Sequence, residues 1–393
     1  MEESRFAKRM QGMKGNAIRE LLSVSQQPGM ISFAGGLPSA ETFDKETVAE
    51  IASEVLIQDG DKILQYGSTE GYAPLREELI KYLQKDSFNI SHENLLITSG
   101  AQQGIDLVAK AIVNPGDVVV VESPSYLAAL QIFKTYEAKL VVVPSDENGM
   151  VVEELENVIK KHNPKIVYSV PTFQNPSSVT MPLNRRKELC KLLDKNEVVF
   201  IEDNPYGDLR YSGEDQPKIY NLDKSNQTLY LGTFSKIISP GLRVGFAVGE
   251  KDLITKMRIG KQGTDVQTTT LAQAIIAEYF KRNILDEHIE SIKDLYRKKR
   301  DYFLKKMDEF FPKEVKWNYP EGGLFVWAEL PEEYDTKKLF EIAISKKVAF
   351  VPGQSFFVND KKNCLRLNFS NATFEEMDQG IESLGKAIKE MIK

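Results

Sequence analysis

Between residues 94 and 232 uninterrupted apolar runs recur: NLLIT, DVVVVE, KLVVVP, KIVYSV, EVVFIED and TLYLG. Each is strand-sized and apolar on consecutive residues, not on alternate ones. A strand of this kind must be covered on both faces, which is the condition of a parallel sheet flanked by helices. The intervening segments agree. In QQGIDLVAKAIV (102–113) and LNRRKELCKLLDKN (183–196) apolar residues fall three and four apart, as amphipathic crossover helices require. The pattern predicts repeated βαβ units: an α/β fold with a mostly parallel central sheet between helices.

Past Arg243 the pattern changes to a short strand, RVGFAVG, then to long charged helical stretches reaching about residue 311. VKWNYPEGGLFVWAEL and NCLRLNFS follow with strand character, so a smaller α+β unit is expected there. The predicted organisation is an N-terminal segment and loop (1–45), a large unit (46–285) and a small C-terminal unit (286–393), joined inside a long helix. SFAGGLPSAETF is rich in turn formers and is expected to dock on the small unit or lie over the site.

Charge and cysteine content exclude several classes. Lys and Arg total 51 and Asp and Glu 57, a net charge of −6 spread along the chain, which does not suit a nucleic-acid surface. No apolar run approaches the roughly 20 residues of a spanning helix. The N-terminus is charged throughout and lacks the apolar core of a secretory signal. Cys190 and Cys364 lie far apart and read as reduced packing residues, so a cytoplasmic protein is expected. His92, His162 and His288 each stand alone in polar stretches and read as surface residues. No metal site and no Ser-His-Asp triad is expected.

In open α/β sheets ligands bind beyond the carboxyl ends of the strands. NLLITSGAQQG delivers a glycine turn and then opens a helix at Ala101 and Gln102, a place where unpaired N–H groups attract anions. DVVVVESPSY delivers Tyr126, and KIVYSVPTFQNPSS delivers Gln174 and Asn175. EVVFIEDNPYGDL ends in Glu202 and Asp203, with Tyr206 on the same loop, and a carboxylate closing so apolar a strand demands a cationic partner or a metal. TLYLGTFSK brings Thr233, Ser235 and Lys236, with Arg243 just after a Pro-Gly turn. Hydroxyls and a fixed guanidinium suit a phosphate. Lys236 then stands near an anion seat with no acidic neighbour in sequence. A phosphate cradle, an aromatic face, a buried carboxylate and a lysine nucleophile are the groups that pyridoxal phosphate needs.

Over nearly its whole length the chain resembles the class I/II aminotransferases of the fold-type I pyridoxal-phosphate enzymes. The subgroup with 2-aminoadipate, kynurenine and aromatic or branched-chain aminotransferases is the most similar. The likeness rests on SFAGGLPSAETF, YGSTEGYAPLREEL, TSGAQQGIDL, ESPSY, PTFQNPSS, EDNPYGDL, GTFSKIISPGLRVGF, KQGTDVQTTTLAQ, PEGGLFVWAEL and LRLNFS, in that order. It implies that Lys236 carries the cofactor covalently and shuttles the substrate α-proton, and that Asp203 pairs with the protonated pyridine nitrogen. Asn175 and Tyr206 would bond the ring 3-oxygen, and Tyr126 would stack on the ring. Ala101, Gln102, Thr233, Ser235 and Arg243 would hold the phosphate. Arg366 would grip the substrate α-carboxylate, helped by Gly36 and Asn175. Tyr66, in YGSTEGY, would reach the phosphate of a neighbouring subunit, making the protein a homodimer with a shared site. One departure concerns Asn175-Pro176-Ser177-Ser178, where the family usually has glycine at the last position, which puts the loop geometry in question.

The implied reaction moves an α-amino group between an amino acid and a 2-oxo acid in two half-reactions. The rivals are another fold-type I enzyme, such as a carbon–sulfur lyase or decarboxylase, and a non-catalytic ligand-sensing domain. The last is disfavoured because the entry loop begins by residue 31, leaving no room for a DNA-binding domain. Ile18, Arg19 and Leu37 are expected to shape the side-chain pocket, with Arg19 attracting an acidic group such as 2-aminoadipate or glutamate. Broad specificity is expected, with glutamate and 2-oxoglutarate as one pair.

Overall fold

The computed structural model describes residues 5–11, 27–358 and 361–392. A short strand β1 (Ile31–Ser32) precedes the main sheet, whose strands in chain order are β2 (Leu95–Thr98), β3 (Val118–Ser123), β4 (Lys139–Asp146), β5 (Gly149–Met150), β6 (Ile166–Ser169), β7 (Val199–Asp203), β8 (Thr228–Thr233) and β9 (Gly245–Val248). They hydrogen-bond in the order β2-β9-β8-β7-β6-β3-β4-β5. Strands β4, β3, β6, β7 and β8 run parallel, whereas β9 runs opposite to both β8 and β2. Each apolar run of the sequence is one of these strands.

Their unbroken apolarity has a direct cause. Val119 and Val121 of β3 and Ile201 of β7 face one apolar cluster with the helix Ala101–Ile112. Val120, Val167 and Phe200 face another on the opposite side, with the helices Val152–His162 and Leu183–Leu193. Successive side chains of a strand alternate between faces, so both sets must be apolar.

The second sheet comprises β10 (Lys316–Trp317), β11 (Phe325–Glu329), β13 (Val351–Pro352) and β14 (Cys364–Asn368), in the antiparallel order β10-β11-β14-β13. The intervening β12 (Val348–Ala349) pairs in parallel with β1. The helix Leu285–Phe310 presents Ile289, Ile292, Tyr296, Phe303 and Met307 to the core, a spacing of three, four and seven residues. Asp286 and Glu287 favour its first turn, where the helix dipole is positive. Pro312 follows its end.

Phe33 joins the chain's first loop to the rest, donating its N–H to Ala349 and accepting from the N–H of Asn368, 2.8 Å in each case. The glycine-containing stretch Ala34–Leu37 is thereby laid alongside β14, close to the carboxyl edge of the main sheet. Cys190 and Cys364 are buried and free. The surface reading fails for His288. It is partly buried, its ring lies 5.8 Å from that of Tyr279, and its Nε2 has no partner among the described residues. It lies on the half-covered flank of a long helix, which its polar sequence neighbours conceal.

Candidate active site

The direction of β9 assembles the site. Because it runs against its neighbours, Gly245 at its start lies level with Thr98 at the end of β2 and Thr233 at the end of β8. The turn after β2, the loop after β8 and the residues before β9 therefore share one edge. Gly100 takes φ +81° and caps the helix Ala101–Ile112, whose Ala101 and Gln102 N–H groups have no acceptor among the described residues. Thr233 Oγ1 lies 3.0 Å from Ser235 Oγ. Arg243, itself at φ +54°, sends Nη2 to the Ser99 carbonyl at 3.2 Å. A side chain at Gly245 would put its Cβ 2.7 Å from the Gly100 carbonyl carbon, so only glycine allows β9 so near the turn. Free N–H groups at a helix N-terminus, two hydroxyls and a guanidinium make an anion seat.

A cavity of about 320 Å³ extends from this seat. It is lined by Gly36, Ala101, Gln102, Tyr126, Asn175, Asp203, Tyr206, Thr233, Ser235, Lys236, Arg243 and Arg366. Four clefts of larger volume, the two largest of them beside Asp208 and beside Trp327, contain none of these residues. Tyr66 is outside the cavity and 81% exposed. Ile18 and Arg19 lie outside the described residues, and Leu37 is exposed.

Lys236 donates to the Gly36 carbonyl at 2.9 Å. Burial lowers its ammonium to about 8, and the positive charges of Arg366 and Arg243 act the same way. Burial is thus the first cause and the cationic neighbours the second. Arg366 is buried in β14. Its Nη1 donates to Asn175 Oδ1 and its Nη2 to the Ala34 carbonyl, each at 2.8 Å, and its guanidinium lies 4.1 Å from the Phe325 ring centroid. Desolvation pushes it down to about 10. Asn175 Nδ2 lies 3.5 Å from the Tyr206 hydroxyl, and burial raises that phenol. The Tyr126 phenol is pushed up to about 12, by burial first and then by the negative charge of Asp203.

Glu202 and Asp203 are adjacent, yet strand alternation sends them apart. Glu202 meets buried Arg186 at 3.6 Å and accepts the N–H groups of Ile219 and Tyr220. Asp203 faces the cavity. Its Oδ2 accepts the Tyr168 hydroxyl at 2.7 Å, but its buried Oδ1 has no partner among the described residues, and desolvation raises the carboxyl to about 6. An orphaned carboxylate oxygen opposite an anion seat, with a depressed amine between, fits the pyridine N–H, aldehyde and phosphate of pyridoxal phosphate.

In the loop after β6 a serine stands where the family usually has glycine. Ser178 itself adopts φ +57° and donates its hydroxyl to the Phe325 carbonyl at 2.7 Å. Several supporting residues were invisible in sequence. Tyr168 sits mid-strand in β6, and only the register of β6 against β7 brings it to Asp203. Arg186 lies in a helix whose charged neighbours suggest solvent. Glu122, at the end of β3, was passed over although a carboxylate closing an apolar run is a signal; it accepts from Ser169 Oγ, the Val170 N–H and Gln174 Nε2, bracing the loop that carries Asn175.

The sequence profile of aminotransferase class I and II matches residues 29–384. Aromatic-amino-acid aminotransferase 1 of Thermococcus litoralis is 46% identical, across 100% of this chain and 95% of that one. The crystal structure of Pyrococcus horikoshii kynurenine aminotransferase, in complex with PMP, KYN and KYA, superposes with a TM-score of 0.95 at 45% identity, covering 100% of this chain and 98% of the other. LysN, the α-aminoadipate aminotransferase of Thermus thermophilus, solved with N-(5'-phosphopyridoxyl)-L-leucine, gives 0.93 at 38% identity, covering 100% and 99%.

Proposed function

This chain belongs to the class I and II aminotransferases, and within that family we propose that it serves amino acids with aromatic or long apolar side chains as well as glutamate. It is a pyridoxal-phosphate-dependent aminotransferase acting on an amino acid and a 2-oxo acid. When bound, the cofactor supplies an aldehyde that takes up the amino group and a protonated ring that withdraws electrons from the substrate Cα.

The residues divide the remaining tasks. Ala101, Gln102, Thr233, Ser235 and Arg243 bind the phosphate. Asp203 holds the proton on the ring nitrogen, and the opposite charge lowers its carboxyl from the raised value it has alone. Tyr126 covers the ring face, and Asn175 and Tyr206 bind the ring oxygen. Lys236 is the attachment point and moves the α-proton. Its lowered affinity for protons suits both tasks, since each needs the neutral amine. Arg366 binds the α-carboxylate with its fork, oriented by Asn175 and Phe325 and assisted by the Gly36 backbone.

One observation supports the substrate class. Among the described residues lining the cavity, the guanidinia are Arg243 at the phosphate end and Arg366 at the α-carboxylate end, while Tyr126, Leu127 and Pro240 offer apolar surface. Arg19 remains the candidate for meeting a distal carboxylate of glutamate or 2-aminoadipate. A panel of amino donors against 2-oxoglutarate and pyruvate tests this, read by bleaching of the cofactor's absorbance. Rejection of phenylalanine, tyrosine, kynurenine and leucine, with turnover of acidic donors alone, would overturn the apolar reading.

The assembly is a homodimer, and Tyr66 of each subunit reaches the other's phosphate. Exposure of Tyr66 (81%), Ile57 (81%) and Leu64 (75%) supports an interface there. A monomeric mass by sedimentation would refute it. Two buried free thiols support a reducing, cytoplasmic setting, which fractionation of the source cells tests.

A further inference from the structure

Behind the phosphate turn lies a charge network that the reaction does not use directly. Lys261 is in the helix Lys251–Gln262, and its side chain is 0% exposed. Its ammonium has three protons and three acceptors: Gln103 Oε1 at 2.8 Å, Asp265 Oδ1 at 2.8 Å and Asp265 Oδ2 at 2.9 Å. Both partners reach onward to one residue. Gln103 Oε1 also accepts the Ser99 N–H at 2.8 Å, and Asp265 Oδ2 accepts the Ser99 hydroxyl at 3.0 Å and Gln103 Nε2 at 2.7 Å. Ser99 Oγ lies 3.3 Å from Thr268 Oγ1, and the Ser99 carbonyl is held by Arg243. Every polar handle of Ser99 is thus taken, the Gly100 N–H is bonded to the Thr98 carbonyl at 2.9 Å, and the next donors, the N–H groups of Ala101 and Gln102, have no acceptor among the described residues.

Stapling two helices together is not reason enough for this arrangement, since an ion pair that fully desolvates Lys261 while Asp265 stays 29% exposed is seldom more stable than apolar packing. Its geometry serves better to hold a direction. The turn must aim its N–H groups at an anion, and a turn whose own backbone was free to relax would lose that aim. The same segment, 264–268, also ties down the stretch that precedes the helix Ala73–Lys85. Gln267 Oε1 accepts the Gly67 N–H, and the Thr268 carbonyl accepts Gln273 Nε2 at 2.7 Å, whose Oε1 takes the Tyr72 N–H at 2.7 Å.

We propose that Lys261, Asp265 and Gln103 are positioning residues for the cofactor phosphate, clamping Ser99 so that the following N–H groups stay pointed into the seat. This rests on reading that turn as the phosphate site. The full chain, freed of cofactor, is titrated with pyridoxal phosphate and with pyridoxal, which lacks the phosphate, following absorbance. Lys261→Met is expected to weaken pyridoxal phosphate about tenfold or more while pyridoxal binding changes less than about twofold, the loss of one or two well-made hydrogen bonds. Ser99→Ala, which removes a single hydroxyl, is expected to act in the same direction at about threefold. It decides the matter if Lys261→Met does not fold, as judged by circular dichroism. Equal weakening of both ligands, or of neither, overturns the proposal. Arg243→Ala separates the underlying reading. If it leaves the preference for the phosphorylated ligand intact, the seat itself is misplaced. If it abolishes that preference while Lys261→Met and Ser99→Ala do not, only the clamp is wrong.

Discussion

Replacing Asp203 by asparagine is expected to make the chain stripped of cofactor more stable at neutral to alkaline pH, while crippling the loaded enzyme. Asp203 is 3% exposed, keeps one hydrogen bond, from Tyr168, and leaves Oδ1 unpaired among the described residues. Its carboxyl is raised from 3.8 to about 6. A folded-state value above the unfolded one means that ionisation opposes folding. The penalty is complete above the folded value and disappears as pH falls below the unfolded one. About two units correspond to about 3 kcal/mol at pH 8. Asparagine removes the charge but leaves its amide at the orphan position without an acceptor, which costs about 1–2 kcal/mol. The net gain is therefore about 1–2 kcal/mol. Urea unfolding of both stripped proteins at pH 8 and pH 5 measures it. The ionisation penalty should fall by about half at pH 5, shifting the comparison toward wild type. Loaded with cofactor, Asp203→Asn should lose about two orders of magnitude or more in turnover, because the ring nitrogen no longer faces a charge. Equal stability at both pH values would show that ionised Asp203 does not oppose folding, and near-normal turnover would show that it is not the ring's counter-charge.

Arg366→Lys keeps the charge but cannot reproduce the fork to Asn175 and Ala34 or the stack on Phe325, so KM for amino donors should rise about a hundredfold with cofactor absorbance unchanged. An unchanged KM would remove Arg366 from the carboxylate site. With Lys236 lowered to about 8, the rate at which stripped protein takes up pyridoxal phosphate should be about tenfold slower at pH 7 than on the plateau above pH 9. A flat profile, or a midpoint near 10.5, would contradict the burial argument. At Ser178, Ala keeps the strained φ of +57° and loses the bond to Phe325, whereas Gly loses the bond but relieves the strain. Thermal unfolding should therefore rank wild type and Ser178→Gly close together and Ser178→Ala lower by about 1–2 kcal/mol. An alanine variant as stable as the glycine one would refute this.

What sequence alone determined here is set by short-range rules. Consecutive apolar residues in DVVVVE and EVVFIED require two covered faces, and that requirement alone implies a parallel sheet with helices on both sides. Given such a sheet, polar residues at strand ends must share an edge, so Lys236, Asp203, Asn175 and Arg243 could be grouped before any coordinates. Arg366 was reached only through the resemblance to the aminotransferases, since alternation with Leu365 and Leu367 says that it faces the other side of its strand but not what it meets there. Register and long-range contact are different in kind. Tyr168 reaches Asp203 because of how β6 slides against β7, and Glu202 turns away from its neighbour toward Arg186. Lys236 meets Gly36 across about half of the chain, and Arg366 meets Ala34 across most of it. Lys261 looks in sequence like one more charge on a helix, and becomes a buried clamp on Ser99 only when the helix Lys251–Gln262 packs beside the turn after β2. Those partners are chosen by the packing of whole elements, and no local pattern carries that information.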